Sequence, residues 1–354
     1  MGHYTFGVSV ALQEIDDPVG PPWERPLAGR FERLAVESEL LRANPLGDPS
    51  RRPLYVYLSP GVAEERAGRV PVVYLLQGYS NQLDTWLARK PFEPTTVERL
   101  DAMFAADESQ EAIVVFVDAW TSLGGSQFIN SSGTGPYMDY LCDEIVPFVD
   151  ERYPTSGHRG VAGHSSGGFG AMVSAMIRPD AFSAFASHAG DALFECCYLR
   201  DFPVVARTLR DQFDGSVEVF FERLRDADPF EFRRYGTVLS VYAMAAAYSP
   251  GPERPELPFD IETGRLLLDV WERWLQWDPV RMAPGYAEAL QGMRRIYLDA
   301  GRRDEYFLDL GAQAFSAELS QMGVEHTLEL FDGAHGGIAY RYPGAIRELV
   351  LALY

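Results

Sequence analysis

The chain has 354 residues and a formal net charge of −20 at neutral pH, and close to half of its residues are hydrophobic. Such a composition is typical of an ordered globular protein, and the length suits one large domain with an insertion. Nucleic acids and anionic membranes do not attract so acidic a surface, so the charge excludes them as predicted partners.

The amino-terminal thirty residues are rich in proline and glycine, and we expect an irregular arm over residues 1–30. Residues 1–18 lack the basic segment, apolar run and cleavage site of a leader peptide, and no apolar stretch approaches the length needed to span a bilayer. The three cysteines, Cys142, Cys196 and Cys197, form neither a disulfide framework nor a zinc pattern. We therefore predict a cytoplasmic protein that needs no metal and no cofactor.

Strand and helix patterns then alternate along the chain. Strands are predicted at residues 36–41, 54–58, 69–78, 112–118, 158–163, 183–189, 294–300 and 326–331. Helices are predicted at residues 96–106, 138–153, 166–177, 308–322 and 343–353, with a kink in the second at Pro147. The apolar runs at 69–78 and 112–118 suit strands covered on both faces. The pattern predicts an α/β fold with a mostly parallel central sheet and helices on both faces.

Residues 163–167 read Gly-His-Ser-Ser-Gly, between a predicted strand and a predicted helix. A G-x-S-x-G sequence at such a junction is the nucleophile-elbow pattern, in which a tight turn exposes the central serine at the top of the sheet. The alternative is a turn of small residues at the start of a packed helix. The flanking strand and helix favour Ser165 as a nucleophile.

The segment at 191–285 interrupts the alternation and has a mainly helical pattern. Apolar residues recur at i, i+3, i+4 and i+7 in two stretches, Val217, Phe220, Phe221 and Leu224, and Leu267, Val270, Trp271 and Trp274. We interpret this aromatic stripe as core packing rather than a cofactor site. The predicted domains are the arm at 1–30, a core at 31–190 and 286–354, and a helical cap at 191–285 over the carboxyl ends of the strands.

An exposed serine needs a base to take its proton and a carboxylate to orient that base. Asp304 and His335 follow two later strands, so all three residues lie where open parallel sheets place their ligands. The order Ser, Asp, His is that of the α/β-hydrolases. Asp299 and Glu305 are the alternative acids. The other histidines are interpreted as structural (His3, His158, His326), as too close to the serine to bond to it (His164), or as lining the pocket (His188).

Acyl transfer also needs two donors to the developing oxyanion. We predict the backbone N–H groups of Ser166, by the geometry of the elbow, and of Tyr79, in the loop after the strand at 69–78. The substrate pocket is predicted to include Trp86, Trp120, Phe128, His164 and His188.

Four stretches together carry a family resemblance. They are Leu75-Leu76-Gln77-Gly78 with Trp86, residues 125–131 (Gly-Ser-Gln-Phe-Ile-Asn-Ser), residues 144–150 (Glu-Ile-Val-Pro-Phe-Val-Asp), and residues 163–170. The chain resembles the putative-esterase family of α/β-hydrolases, a group with esterase D (S-formylglutathione hydrolase), feruloyl esterases and mycolyltransferases. The resemblance implies the same nucleophile, acid, base and oxyanion donors. Esterase D usually has a cysteine in the loop that reads Tyr79-Ser80-Asn81 here.

These inferences predict a serine carboxylesterase that acts on a small-molecule ester through an acyl-enzyme on Ser165, with activity rising with pH through the imidazole range of about 6–7. The alternatives are an acyltransferase or thioesterase with the same triad, and a non-catalytic binding protein with a hydrolase fold. The sequence leaves open whether the protein forms a homo-oligomer.

Overall fold

The computed structural model describes residues 25–65, 68–107, 110–225 and 234–354. His3 and most of the predicted arm lie outside these ranges. An eight-stranded sheet runs through the described chain. Its strands are β1 (Arg30–Glu37), β2 (Arg51–Leu58), β3 (Val70–Leu76), β4 (Ile113–Val117), β5 (Thr155–His164), β6 (Ala184–His188), β7 (Arg295–Gly301) and β8 (Thr327–Phe331).

The strands lie in the order β1-β2-β4-β3-β5-β6-β7-β8. The pairs β1/β2 and β2/β4 are antiparallel, and the other five pairs are parallel. The predicted mostly parallel sheet is therefore confirmed. At its carboxyl edge, His164 pairs with His188 and His188 pairs with Asp299, so the loops after β5, β6 and β7 start side by side.

Helices cover both faces of the sheet. The longer ones are α1 (Thr96–Ala106), α2 (Val146–Arg152), α3 (Ser166–Ile177), α4 (Phe202–Gln212), α5 (Val217–Arg225), α6 (Gly236–Tyr248), α7 (Leu268–Leu275), α8 (Leu308–Gln321) and α9 (Tyr342–Leu353). Successive side chains of β3 point to opposite faces of the sheet, which explains the helical layer on each face. Tyr74 and Leu76 belong to a buried cluster with α3, whereas Val73 and Leu75 belong to another cluster with α1 and α9.

Short elements connect these helices and strands. The short helical turns are Leu40–Ala43, Pro60–Ala63, Leu83–Leu87, Tyr137–Asp139, Phe194–Cys197, Pro279–Met282, Ala283–Tyr286 and Ala287–Gln291. Two-residue strands at Asn130–Ser131 and Gly135–Pro136 pair with each other.

The predicted strand at 36–41 is wrong in its position. The strand ends at Glu37 and a 3₁₀ turn follows at Leu40–Ala43. The carboxylate of Glu144 stops the strand, because it accepts the backbone N–H groups of Glu39 (2.8 Å) and Leu40 (3.1 Å). These N–H groups are then no longer available to a sheet partner.

The helix predicted at 138–153 is present over residues 137–152, but it is not one regular α-helix. A π-helical segment, Tyr140–Ile145, separates the turn at Tyr137–Asp139 from α2. Pro147 is the second residue of α2 and follows the π-helical segment, and the backbone before it is already helical at Ile145 (φ −71°, ψ −43°). The change from π-helix to α-helix thus lies next to this proline, whose ring and missing N–H disfavour an unbroken α-helical ladder.

Between β6 and β7 the described chain holds helices α4 to α7. The helical patterns at 217–224 and 267–274 correspond to α5 and α7, whereas α4 and α6 were not predicted individually. Side chains of these helices belong to the same buried cluster as α3. The division of the chain into a core and a cap stays a prediction.

Candidate active site

Ser165 lies at the turn between β5 and α3, with φ 57° and ψ −126°. Such a conformation is costly for a residue with a side chain and persists only where the surroundings impose it. Two glycines make room for the turn. A Cβ atom on Gly163 would lie 2.3 Å from the carbonyl oxygen of Gly167, and one on Gly167 would lie 2.2 Å from that of Leu76. The segment has the strained geometry of a nucleophile elbow.

His335 follows β8 and Asp304 follows β7, and the structure brings the two side chains together. The Nδ1 atom of His335 lies 2.8 Å from Oδ2 of Asp304. The Asp304 side chain is fully buried, and its Oδ1 accepts the backbone N–H of Tyr306 at 2.8 Å. These contacts fix one carboxylate oxygen toward the imidazole and leave the Nε2 side of the ring for another partner.

The two alternative acids have other partners. Glu305 accepts the backbone N–H of His335 at 3.0 Å, so it holds the loop rather than the ring. Asp299 lies 2.7 Å from Nδ1 of His188 and accepts a 2.9 Å bond from Nε of Arg341. Of the three candidate acids, Asp304 is therefore the one that contacts the His335 ring.

Ser165, His335 and the two predicted oxyanion residues line one cavity of about 380 Å³. Ser166 is the first residue of α3, where a backbone N–H has no intrahelical acceptor. The Tyr79 N–H makes no hydrogen bond to a described residue. The Tyr79 side chain is held separately, since its hydroxyl donates to the carbonyl of Leu123 at 2.9 Å. Both N–H groups are therefore available to a ligand oxygen.

His164 lines the cavity as predicted, and its ring lies 4.3 Å from that of His335. Burial, together with the nearby His335 and His188, lowers the pKa of His164 to about 3. His164 is therefore neutral at physiological pH.

The remaining predicted pocket residues do not line this cavity. His188 is fully buried, because its ring is held by Asp299 and packed 4.7 Å from that of Tyr342. Phe128 is buried over Gly170 of α3. Trp120 lines a separate cavity with Asp118, beyond the end of β4.

Trp86 lines a neighbouring cavity of about 220 Å³. Its ring lies between Phe116 and Tyr342, at 5.5 and 5.2 Å. His164 lines both cavities, so Trp86 is near the predicted nucleophile without sharing its cavity.

A buried polar cluster that was not predicted lies along the cavity. Asp191, the third residue after β6, lines the cavity and accepts hydrogen bonds from Tyr198 (2.8 Å) and Gln127 (3.2 Å). Tyr248 is 2.9 Å from the same glutamine nitrogen. The available signal was the position of Asp191 just past the end of a strand, the same signal that indicated Asp304.

The described ranges contain no group of three or more potential metal ligands. Within them no helix has the length and apolar character needed to cross a membrane. All three cysteines are free thiols.

The strand order, the strained serine after β5 and the Asp–His pair after β7 and β8 define an α/β-hydrolase. Comparison with known families agrees, since the model of the putative esterase family matches residues 49–342. The chain belongs to the putative esterase family and is an ester hydrolase, which confirms the predicted fold, family and enzyme class.

Several solved structures are similar in fold. A ferulic acid esterase matches with a TM-score of 0.58 and 17% identity, covering 92% of this chain and 99% of that one. MPT51 (FbpC1) of Mycobacterium tuberculosis matches with a TM-score of 0.55 and 17% identity, covering 92% of this chain and 99% of that one. An S-formylglutathione hydrolase from Agrobacterium tumefaciens matches with a TM-score of 0.53 and 14% identity, covering 93% of this chain and 96% of that one. At these identities the similarity concerns the fold.

Proposed function

We propose that this protein is a serine carboxylesterase with Ser165 as nucleophile, His335 as base and Asp304 as the acid that orients the base. The observation that carries the proposal is the 2.8 Å contact between His335 and Asp304, on the cavity that also exposes the strained Ser165. A serine hydroxyl becomes a useful nucleophile only beside such a base.

In the proposed reaction, Oγ of Ser165 attacks the acyl carbon while Nε2 of His335 takes the serine proton. The tetrahedral oxyanion accepts hydrogen bonds from the N–H groups of Tyr79 and Ser166. The ester C–O bond then breaks, and His335 returns the proton to the leaving alcohol. Water attacks the acyl-enzyme, with His335 again as base, and releases the carboxylic acid and the free serine.

The test is the substitution Ser165→Ala. We expect kcat for p-nitrophenyl acetate to fall by about 10⁵–10⁶, because the serine and histidine act as one unit. A fluorophosphonate probe should label the native protein and not the variant. Ser320→Ala, on the exposed face of α8, is the control and should keep both activity and labelling. Unchanged hydrolysis by Ser165→Ala contradicts the proposal.

A further inference from the structure

Asp191 is a buried carboxylate with one oxygen unused. It is 8% exposed and lines the same cavity as Ser165. Its contacts with Tyr198, Gln127 and Ser166, at 2.8, 3.2 and 3.5 Å, all fall on Oδ2. No described residue donates to Oδ1. The neighbouring Oε1 of Gln127 is likewise buried and has no donor among the described residues.

The donors that contact Asp191 are all neutral. Within the described chain no arginine, lysine or histidine lies in salt-bridge distance of it. Burial raises the pKa of Asp191, the bonds from Tyr198 and Gln127 and the nearby His335 lower it, and the charge of Asp304 raises it, so the pKa stays above its usual value. Buried carboxylates are normally paired with a cation, since the penalty of desolvation is otherwise uncompensated. A cationic ligand can therefore supply the positive charge that no described side chain places in contact with Asp191.

The rest of the cavity fits a cation better than an anion. Asp201 also lines it, although its carboxylate has a partner in Arg200 at 3.6 Å. The described residues that line the cavity include no lysine or arginine. Three tyrosines, Tyr79, Tyr198 and Tyr306, line it as well, and an aromatic ring can attract a cation. An anionic substrate group would meet carboxylates without compensation.

We propose that Asp191 is a specificity-determining residue that binds a protonated amine of the substrate, so that the preferred esters carry an ammonium group. The inference rests on the proposed function, because it places that amine in the cavity of Ser165. An ammonium N–H donates to Oδ1 of Asp191, and its charge compensates the buried carboxylate. A hydroxyl group can make the same hydrogen bond but supplies no charge.

The experiment compares esters that differ only at the end of a six-carbon chain. For the acyl half we use p-nitrophenyl 6-aminohexanoate, 6-hydroxyhexanoate and hexanoate, and for the alcohol half 6-aminohexyl, 6-hydroxyhexyl and hexyl butyrate. In the half that reaches Asp191, we expect kcat/KM for the amine to exceed that for the alkane by about 10- to 100-fold. Asp191→Asn should abolish this ratio. Asp201→Asn should keep it, because Arg200 already neutralises that carboxylate.

The outcomes separate the inference from the function on which it rests. Equal rates for amine and alkane in both series, or an equal preference for hydroxyl and amine, overturn the ammonium site while hydrolysis still depends on Ser165. Hydrolysis that is insensitive to Ser165→Ala contradicts the esterase assignment instead. If Asp191→Asn does not fold, the inference is tested by comparing two inhibitors of the native enzyme, hexylammonium and 1-hexanol. Hexylammonium should then inhibit at least about 10-fold more tightly than 1-hexanol, and equal inhibition overturns the inference.

Discussion

Gly167 has no space for a side chain, because a Cβ atom there would lie 2.2 Å from the carbonyl oxygen of Leu76. Gly167→Ala must move the backbone of α3 away from β3, so we expect the free energy of unfolding to fall by about 1–3 kcal/mol or more. Gly344 of α9 has no atom within 4 Å of its Cβ position and is the matched control. Gly344→Ala should be neutral or stabilising by up to about 1 kcal/mol. Equal losses in urea denaturation would contradict this account of the elbow.

His164 links stability to pH at the same turn. Its pKa is lowered to about 3 in the folded protein, mainly by burial, against about 6.5 in an unfolded chain. Between these two pH values, His164 binds a proton in the unfolded state but not in the folded state. The stability that comes from this difference is fully present above about pH 6.5, and the free energy of unfolding falls as the pH drops below that value. We expect His164→Gln to reduce the slope of unfolding free energy against pH between pH 7 and 4. Equal slopes for both proteins in urea titrations would exclude this role.

The pairing of Asp304 with His335 could be predicted because both follow the carboxyl ends of parallel strands, where the order of strands brings loops together. The environment of Asp191 could not. Its partners Gln127 and Tyr198, and the Tyr248 that bonds to this glutamine, come from three separate segments, and no local pattern indicates that they converge. The burial of His188 depends in the same way on Asp299, 111 residues later.

At the scale of elements, Arg341 joins the loop of His335 to the sheet. Its Nε donates to Asp299 at 2.9 Å, and Asp299 also holds His188 of β6. Burial opposes ionisation of Asp299, but His188 and Arg341 lower its pKa overall. Asp299→Asn removes this charged acceptor from Arg341, which keeps its ion pair with Glu329, and we expect a loss of about 1.5–3 kcal/mol in unfolding free energy.

The matched control is Asp332→Asn, since Asp332 forms an ion pair with Arg303 in which both side chains are mostly exposed. That variant should change stability by no more than about 0.5–1 kcal/mol. Because the pKa of Asp299 is depressed, its stabilisation is present above the pKa of an unfolded aspartate, about 3.9, and is lost as the pH falls below it. Equal effects of the two substitutions in denaturation at pH 7 would show that the buried pair has no special role.

Helices α1 and α3 have the predicted bounds because their signals are local. A capping box between Thr95 and Glu98 begins α1, and the elbow begins α3. The first strand and the helix at 138–153 were predicted less well. Just past the end of the strand, Glu144, more than 100 residues away, accepts the N–H groups of Glu39 and Leu40, and long-range contacts of this kind leave no trace in a local pattern.

At the scale of the whole molecule, the helices between β6 and β7 share a buried cluster with the sheet. The aromatic stripe was interpreted as packing, and the ring contacts fit that interpretation. Trp274 of α7 lies 5.3 Å from Tyr248 of α6, which lies 5.8 Å from Phe169 of α3. Charge and composition alone could not show this continuity, because it depends on which faces of the helices meet.

Trp274 tests whether the inserted helices and the sheet unfold together. Its side chain is fully buried, and its Nε1 donates to Oγ of Ser249 at 2.8 Å. Trp274→Ala should lower the unfolding free energy by about 3–5 kcal/mol through the cavity and the lost hydrogen bond. Leu268→Ala, at a position of α7 that is 71% exposed, is the control and should stay within about 0.5 kcal/mol. Because the cluster is continuous, circular dichroism and tryptophan fluorescence of the native protein should report one coincident transition. Two separate transitions, with the inserted helices melting first, would show that they form an independent unit.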